Sequence, residues 1–143
     1  MAITQAMCTS FKVALLDGEM DFSSNTAQSY KIALYTSSAS LDAATAAYTT
    51  SNEVSGTGYT AGGNTLSIST NPTSTGTTAF LSFATTTWTT ATITARGALI
   101  YQAGGSTPAV AVLDFGSDKG SSAGDFQITF PTADATNAII RVV

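Results

Sequence analysis

The stretch from Thr92 to Phe115, TITARGALIYQAGGSTPAVAVLDF, constrains the fold more than any other part of the chain. Two runs rich in β-branched, aromatic and small apolar residues, Thr92 to Gln102 and Ala109 to Phe115, flank Ala103-Gly104-Gly105-Ser106-Thr107-Pro108. Glycine tolerates positive φ, and Pro108 presets φ where the second run begins. The pattern predicts a β-hairpin with a loop longer than a two-residue turn. In the second run Val110, Val112 and Asp114 alternate with Ala111, Leu113 and Phe115; in the first, Ala98 and Ile100 alternate with Leu99 and Tyr101. Apolar side chains therefore stand on both faces, which predicts a central hairpin covered on both sides.

The remaining segments read as material that packs onto this hairpin. A helix is predicted over about 4–17: Thr4 can cap it, Ile3, Met7, Phe11, Ala14 and Leu15 recur at helical spacing, and Gly18 suits the C′ position. Ser29 to Thr36 reads as a strand, with Tyr30, Ile32 and Leu34 on one face. Residues 37–53 read as an irregular loop with one or two helical turns, because Ser and Thr weaken an Ala-rich helix. Gly56, Gly58, Gly62 and Gly63 then break any long element, Leu66 and Ile68 suggest a short strand, and Asn71-Pro72 suggests a turn. Ala79 to Phe83, Thr87 to Ile93, Phe126 to Phe130 and Ala138 to Val143 read as strands, and GSDKGSSAGD at 116–125 as a loop. The expected fold is mainly β: an antiparallel β-sandwich or flattened barrel with one N-terminal α-helix. At 143 residues it should form a single domain over 1–143, large enough for a core without disulfides or metals.

Charge and composition exclude several function classes. Thr (26), Ala (23) and Ser (17) make up nearly half the chain, and only 5 basic and 9 acidic residues are present, for a net charge of −4. No basic cluster exists to neutralise phosphates, so nucleic acid is not an expected partner. No apolar run approaches the length of a membrane-spanning helix, so no membrane partner is expected either. The opening MAITQAMCTSFK lacks the charged and apolar regions of a secretory signal, which predicts a protein made and assembled in a cytoplasm. From Val54 through Ala95 there is no charged residue at all. Such a Thr-rich stretch is no charged disordered tail; it reads as short strands joined by neutral loops.

Chemistry-bearing candidates are few. The absence of His removes Ser-His-Asp and Cys-His arrangements, and the single Cys8 leaves too few ligands for zinc. Cys8 itself falls near the helix's apolar stripe and has no activating neighbour, so a buried inert thiol is expected. Asp114, Asp118 and Asp125 flank one segment and are the only candidates for a carboxylate pair or a calcium site, but DFGSDKGSSAGD lacks the EF-hand ligand pattern. Gly56-Thr57-Gly58-Tyr59-Thr60-Ala61 fits the dinucleotide fingerprint, yet Gly62, Gly63 and Asn64 follow where a helix would have to begin. Trp88 with Tyr59 is either core packing or an aromatic sugar platform. Arg96 should pair with an aspartate such as Asp114 across the hairpin. No catalytic, cofactor-binding or metal-binding residue is assigned, no cofactor is expected, and the chain does not read as an enzyme.

AITQAMCTSFKVALLDG, YKIALYTSSASLDAATAAYTT, NEVSGTGYTAGGNTL, ARGALIYQ with AVAVLDFGSDK, and FPTADATNAIIRV together resemble small virion structural proteins of tailed bacteriophages. The resemblance covers nearly the whole chain except Met20 to Gln28. It implies a virion component made in the host cytoplasm, without catalytic residues. The implied role is a capsid decoration (cement) protein that binds the major capsid protein and copies of itself as a dimer or trimer. The alternative it implies is a small tail, baseplate or fibre component with a receptor- or glycan-binding role.

Overall fold

A computed structural model describes residues 2–23 and 26–143. The chain runs β1 (Ala6–Met7), α1 (Thr9–Asp17), β2 (Tyr30–Tyr35), β3 (Asn64–Leu66), β4 (Ile68–Thr75), β5 (Thr78–Phe83), β6 (Thr86–Gln102), β7 (Ala109–Ile128) and β8 (Ile140–Val142). Two antiparallel sheets result: five strands in the order β1-β7-β6-β2-β3, and three in the order β4-β5-β8. Side chains from both sheets, among them Ile32, Leu99, Val112, Phe83 and Ile140, share one hydrophobic core. The fold is thus mainly β and sandwich-like, with a single short N-terminal helix.

The β6–β7 hairpin sits at the centre, as its two apolar faces require. From Gly97 to Tyr101 every residue of β6 is buried, with β2 on one side (Tyr35↔Gly97 through Tyr30↔Gln102) and β7 on the other. Gly97 is needed because a Cβ there would lie 2.5 Å from the Leu113 carbonyl and 2.9 Å from Ile3 Cδ1. The earlier half of β6 has one covered face: Trp88, Ala91, Ile93 and Ala95 point inward while Thr89, Thr92 and Thr94 face solvent. Threonine suits this half-buried surface, where its methyl packs and its hydroxyl stays wet.

The helix starts later than expected, at Thr9 rather than Thr4. Residues 3–8 are claimed by long-range strand pairing instead. Ile3 bridges Leu41, the Thr4 amide donates to the Leu41 carbonyl (2.8 Å), Ala6 and Met7 pair with Val112 and Ala111, and the Cys8 amide donates to the Val110 carbonyl (2.9 Å). Cys8, extended at φ −65° and ψ 140°, occupies the N-cap. The expected end is observed: Gly18 is left-handed at φ 71°, its amide reaching Leu15 O (3.2 Å) and that of Glu19 reaching Ala14 O (2.9 Å), the double bond of a Schellman cap. Nine residues make a marginal helix alone, so α1 depends on Phe11 and Ala14, which it buries. Phe11 is fully buried and edge-on to Phe22 at 5.7 Å. Phe11→Ala should therefore cost about 3 kcal/mol; an unchanged urea midpoint would show that the ring is not part of the core.

Three further expectations are corrected. Residues 116–125 are strand, not loop: β7 continues through them, with Lys119, Gly120 and Ser121 opposite Ala95, Thr94 and Ile93. Their Gly, Ser and Asp content reads locally as a turn, but β6 supplies a ladder, and Ser121 Oγ donates to the Ala91 carbonyl (2.8 Å) while Thr92 Oγ1 accepts from the Ala123 amide (2.9 Å). Asn71 and Pro72 lie inside β4 rather than at a turn. β4 is an edge strand with a register shift between Thr70 and Thr73, so the missing Pro72 amide leaves no ladder bond unmade. Residues 37–53 form turns and isolated bridges (Leu41, Ala47, Glu53) without the expected helical turns.

Candidate functional site

Of the aspartates singled out by the sequence, two converge and one does not. Arg96 lies opposite a bulge in β7: Gly97 pairs with Asp114 and Ala95 with Lys119, so the four residues 115–118 face Arg96 alone. Its guanidinium holds both ends of that bulge, with Nε 3.9 Å from Asp114 Oδ1 and Nη1 3.3 Å from Asp118 Oδ1. The expected Arg96–Asp114 pair is therefore present. These charges are substantially exposed, so their value is positional rather than energetic. Asp125 stands apart on the far side of a second bulge, and among the described residues no three Asp, Glu or Cys side chains gather to hold a metal.

Cys8 is fully buried, and burial, aided by the negative charge of Asp42, pushes its thiol up to about 11. A thiol so rarely ionised is a poor nucleophile. The glycine fingerprint is a sequence of tight turns. Gly58 (φ 84°) packs against Ala91, Gly62 (φ 96°) and Gly63 (φ 76°) follow, and β3 rather than a helix comes next. Without a helix N-terminus the segment has no dinucleotide cradle. Trp88 and Tyr59 do stack, at 5.9 Å, but Trp88 is 3% exposed and offers no face to a sugar.

A partly buried carboxylate that sequence reasoning passed over joins several elements. Glu53 accepts from Tyr48 Oη (2.6 Å), Tyr59 Oη (2.7 Å) and the Gly62 amide (2.7 Å). Tyr59 Oη also accepts from the Leu34 amide (2.9 Å), and Tyr101 Oη donates to the Gly62 carbonyl (2.7 Å). Tyr48 stacks on Tyr101 at 4.7 Å. The carboxylate thus ties the loop before β3 to β2 and β6. A usable signal existed: Glu53 is the last charge before the neutral stretch and is bracketed by Tyr48 and Tyr59. The arrangement is structural, for its oxygens are occupied by the chain itself.

All five tyrosines are held protonated above the ordinary phenol range, chiefly by burial, with the charges of Glu53 or Asp21 adding to it. A raised folded-state value means the neutral phenol favours the fold. That contribution is complete below the unfolded pKa, about 10, and is lost as pH rises above it. Alkaline titration should therefore show phenolate absorbance appearing together with loss of β circular dichroism. Phenolate forming near pH 10 in an intact fold would contradict the burial of these rings.

Among the described residues, no helix is long and apolar enough to cross a membrane. No protein-family model matches this chain, and no curated protein or solved structure matches it.

Proposed function

We propose that this chain is a structural protein of a tailed-phage virion, a decoration subunit seated on the outside of the head shell against the major capsid protein and further copies of itself. The observation that carries the reading is a long stretch without charge that supplies an exposed, hydroxyl-rich edge strand. The segment from Val54 through Ala95 builds β3, β4, β5 and the first half of β6, and β4 lies at a sheet edge with most of its Ser and Thr side chains exposed. A hydroxyl-rich, uncharged face can be covered by a shell or a sister subunit without stranding an unpaired charge. Net charge −4 disfavours a place against packaged DNA, which supports the outer side. Several weak contacts from one oligomer would add through effective concentration.

The proposal places the protein in the virion, after synthesis in the host cytoplasm, and assigns it no catalysis. A small tail, baseplate or fibre component would use the same neutral surface. Copy number in purified particles together with imaging of labelled particles decides between the two. Hundreds of copies and label over the whole head are expected; label confined to the tail would overturn the head placement.

A further inference from the structure

We infer that the cleft along the outer side of β7 is a saccharide-binding site. The cleft encloses about 450 Å³, within the range of small-ligand sites, and is open to solvent. Its floor is aromatic, formed by Phe115 and Phe126 with ring centroids 6.4 Å apart. Phe126 is buried against Trp88 at 6.0 Å, so the floor is backed by the core, while Phe115 remains partly exposed. The rim is polar: Lys119, Asp125, Gln127 and Thr129.

These groups are available. Lys119 and Asp125 line the same cleft, yet the side chain of neither has an ion-pair or hydrogen-bond partner among the described residues. Gln127 commits Nε2 to Thr87 Oγ1 (3.1 Å), which fixes the amide and leaves its carbonyl oxygen to accept. The floor is also held in place. Phe115 is the first residue of the bulge that Arg96 spans, and Gly116 (φ 79°) closes it with its amide on Asp114 Oδ1 (2.9 Å). Bulges of this kind re-aim side chains next to functional sites.

The chemistry selects the ligand class. A pyranose presents an apolar C–H face, which suits a partly exposed ring on a rigid backing, and a rim of hydroxyls, which suits a carboxylate acceptor, an ammonium donor and neutral amide and hydroxyl groups together. A phosphorylated ligand would meet a single lysine beside a carboxylate on a chain of net charge −4. An added strand from a second copy would meet an edge broken by the bulges at 115–118 and 122–123, which deny it a regular ladder. Of the Trp88–Tyr59 pair that the sequence suggests for such a role, the fold buries Trp88 and commits the half-buried Tyr59 hydroxyl to Glu53 and the Leu34 amide, whereas the partly exposed Phe115 lines the cleft.

This inference does not rest on the head-shell placement, and its test is separate. The purified full chain is probed on a printed array of neutral and N-acetylated oligosaccharides, then titrated with maltotriose and with chitotriose while backbone amide resonances are followed. Saturable binding is expected, with shifts concentrated in residues 115–129. Asp125→Asn, at an exposed side chain without a partner, should keep the melting temperature and weaken binding tenfold or more; Phe115→Ala should weaken it at least as much. Absence of binding on the array and in both titrations would overturn the inference. So would shifts elsewhere, unchanged affinity in both variants, or concentration-dependent shifts at 115–129 without sugar, which would assign the cleft to a second copy.

Discussion

Gly63→Ala is expected to leave the chain unfolded, or destabilised by at least about 4 kcal/mol, a loss comparable to the largest single-site effects. Gly63 has φ 76°, where any Cβ is strained, but that alone costs about 1–2 kcal/mol. The larger effect is contact. An added Cβ would overlap the Ile32 carbonyl oxygen and lie 2.6 Å from Ile32 C and 2.8 Å from Ala33 Cα. All three are backbone atoms of β2, an interior strand paired with β3 through Ile32↔Asn64 and with β6 through Ile32↔Ile100. No side-chain rotation relieves such an overlap; either β2 or the turn must move, and the Glu53 network hangs on that turn. Gly76 is the control. It has φ 61° in the β4–β5 turn with nothing within 4 Å of its would-be Cβ, so Gly76→Ala should cost only the backbone strain. Urea titration of the two variants checks this. Equal midpoints would show that the close approach at Gly63 has no consequence.

The two glycines illustrate which parts of this fold are legible in the sequence. Gly63 and Gly76 look alike as letters, and only the strand that passes Gly63 separates them. What is local reads well. The β6–β7 hairpin, the strand at 30–35 and the Gly18 cap all follow from alternation or from one residue's φ preference, and the structure has each of them. The Arg96–Asp114 pair was legible for the same reason, since a hairpin's register is set within one motif. What is non-local does not read. Residues 3–8 carry a helical pattern, yet Ile3 and Thr4 pair with Leu41, and residues 6–8 pair with Val110 to Val112, more than a hundred positions away. Residues 116–125 carry turn letters yet are strand, because β6 offers them a ladder. The cleft was illegible for that reason: with 116–125 taken as a loop, Phe115 and Phe126 belonged to different elements.

Glu53→Ala should be the most damaging change at any charged position, costing about 4 kcal/mol. The carboxylate accepts three short bonds, and hydrogen bonds to a charged group contribute about 1.5–3 kcal/mol each. The three are coupled through one side chain, so the sum overstates the loss; a figure near 4 reflects the donors left without a partner in a partly buried site. Tyr59 sets the direction of failure. Its hydroxyl links Glu53 to the Leu34 amide and its ring lies on Trp88, so release of the carboxylate frees both a β2 contact and a core ring. Glu53→Gln separates charge from shape. The amide keeps one acceptor oxygen but presents an NH₂ where the other oxygen stood. In the observed rotamers that places a donor against either Tyr48 Oη or the pair formed by Tyr59 Oη and the Gly62 amide. A loss of about half that of Glu53→Ala is expected, read from urea midpoints with unchanged slopes. The Tyr48→Phe, Tyr59→Phe double variant completes the cycle: with both phenols gone, Glu53→Ala should cost much less than in the parent chain. An undiminished cost in that background would mean that Glu53 acts through the Gly62 amide alone, and that the tyrosines are only its neighbours.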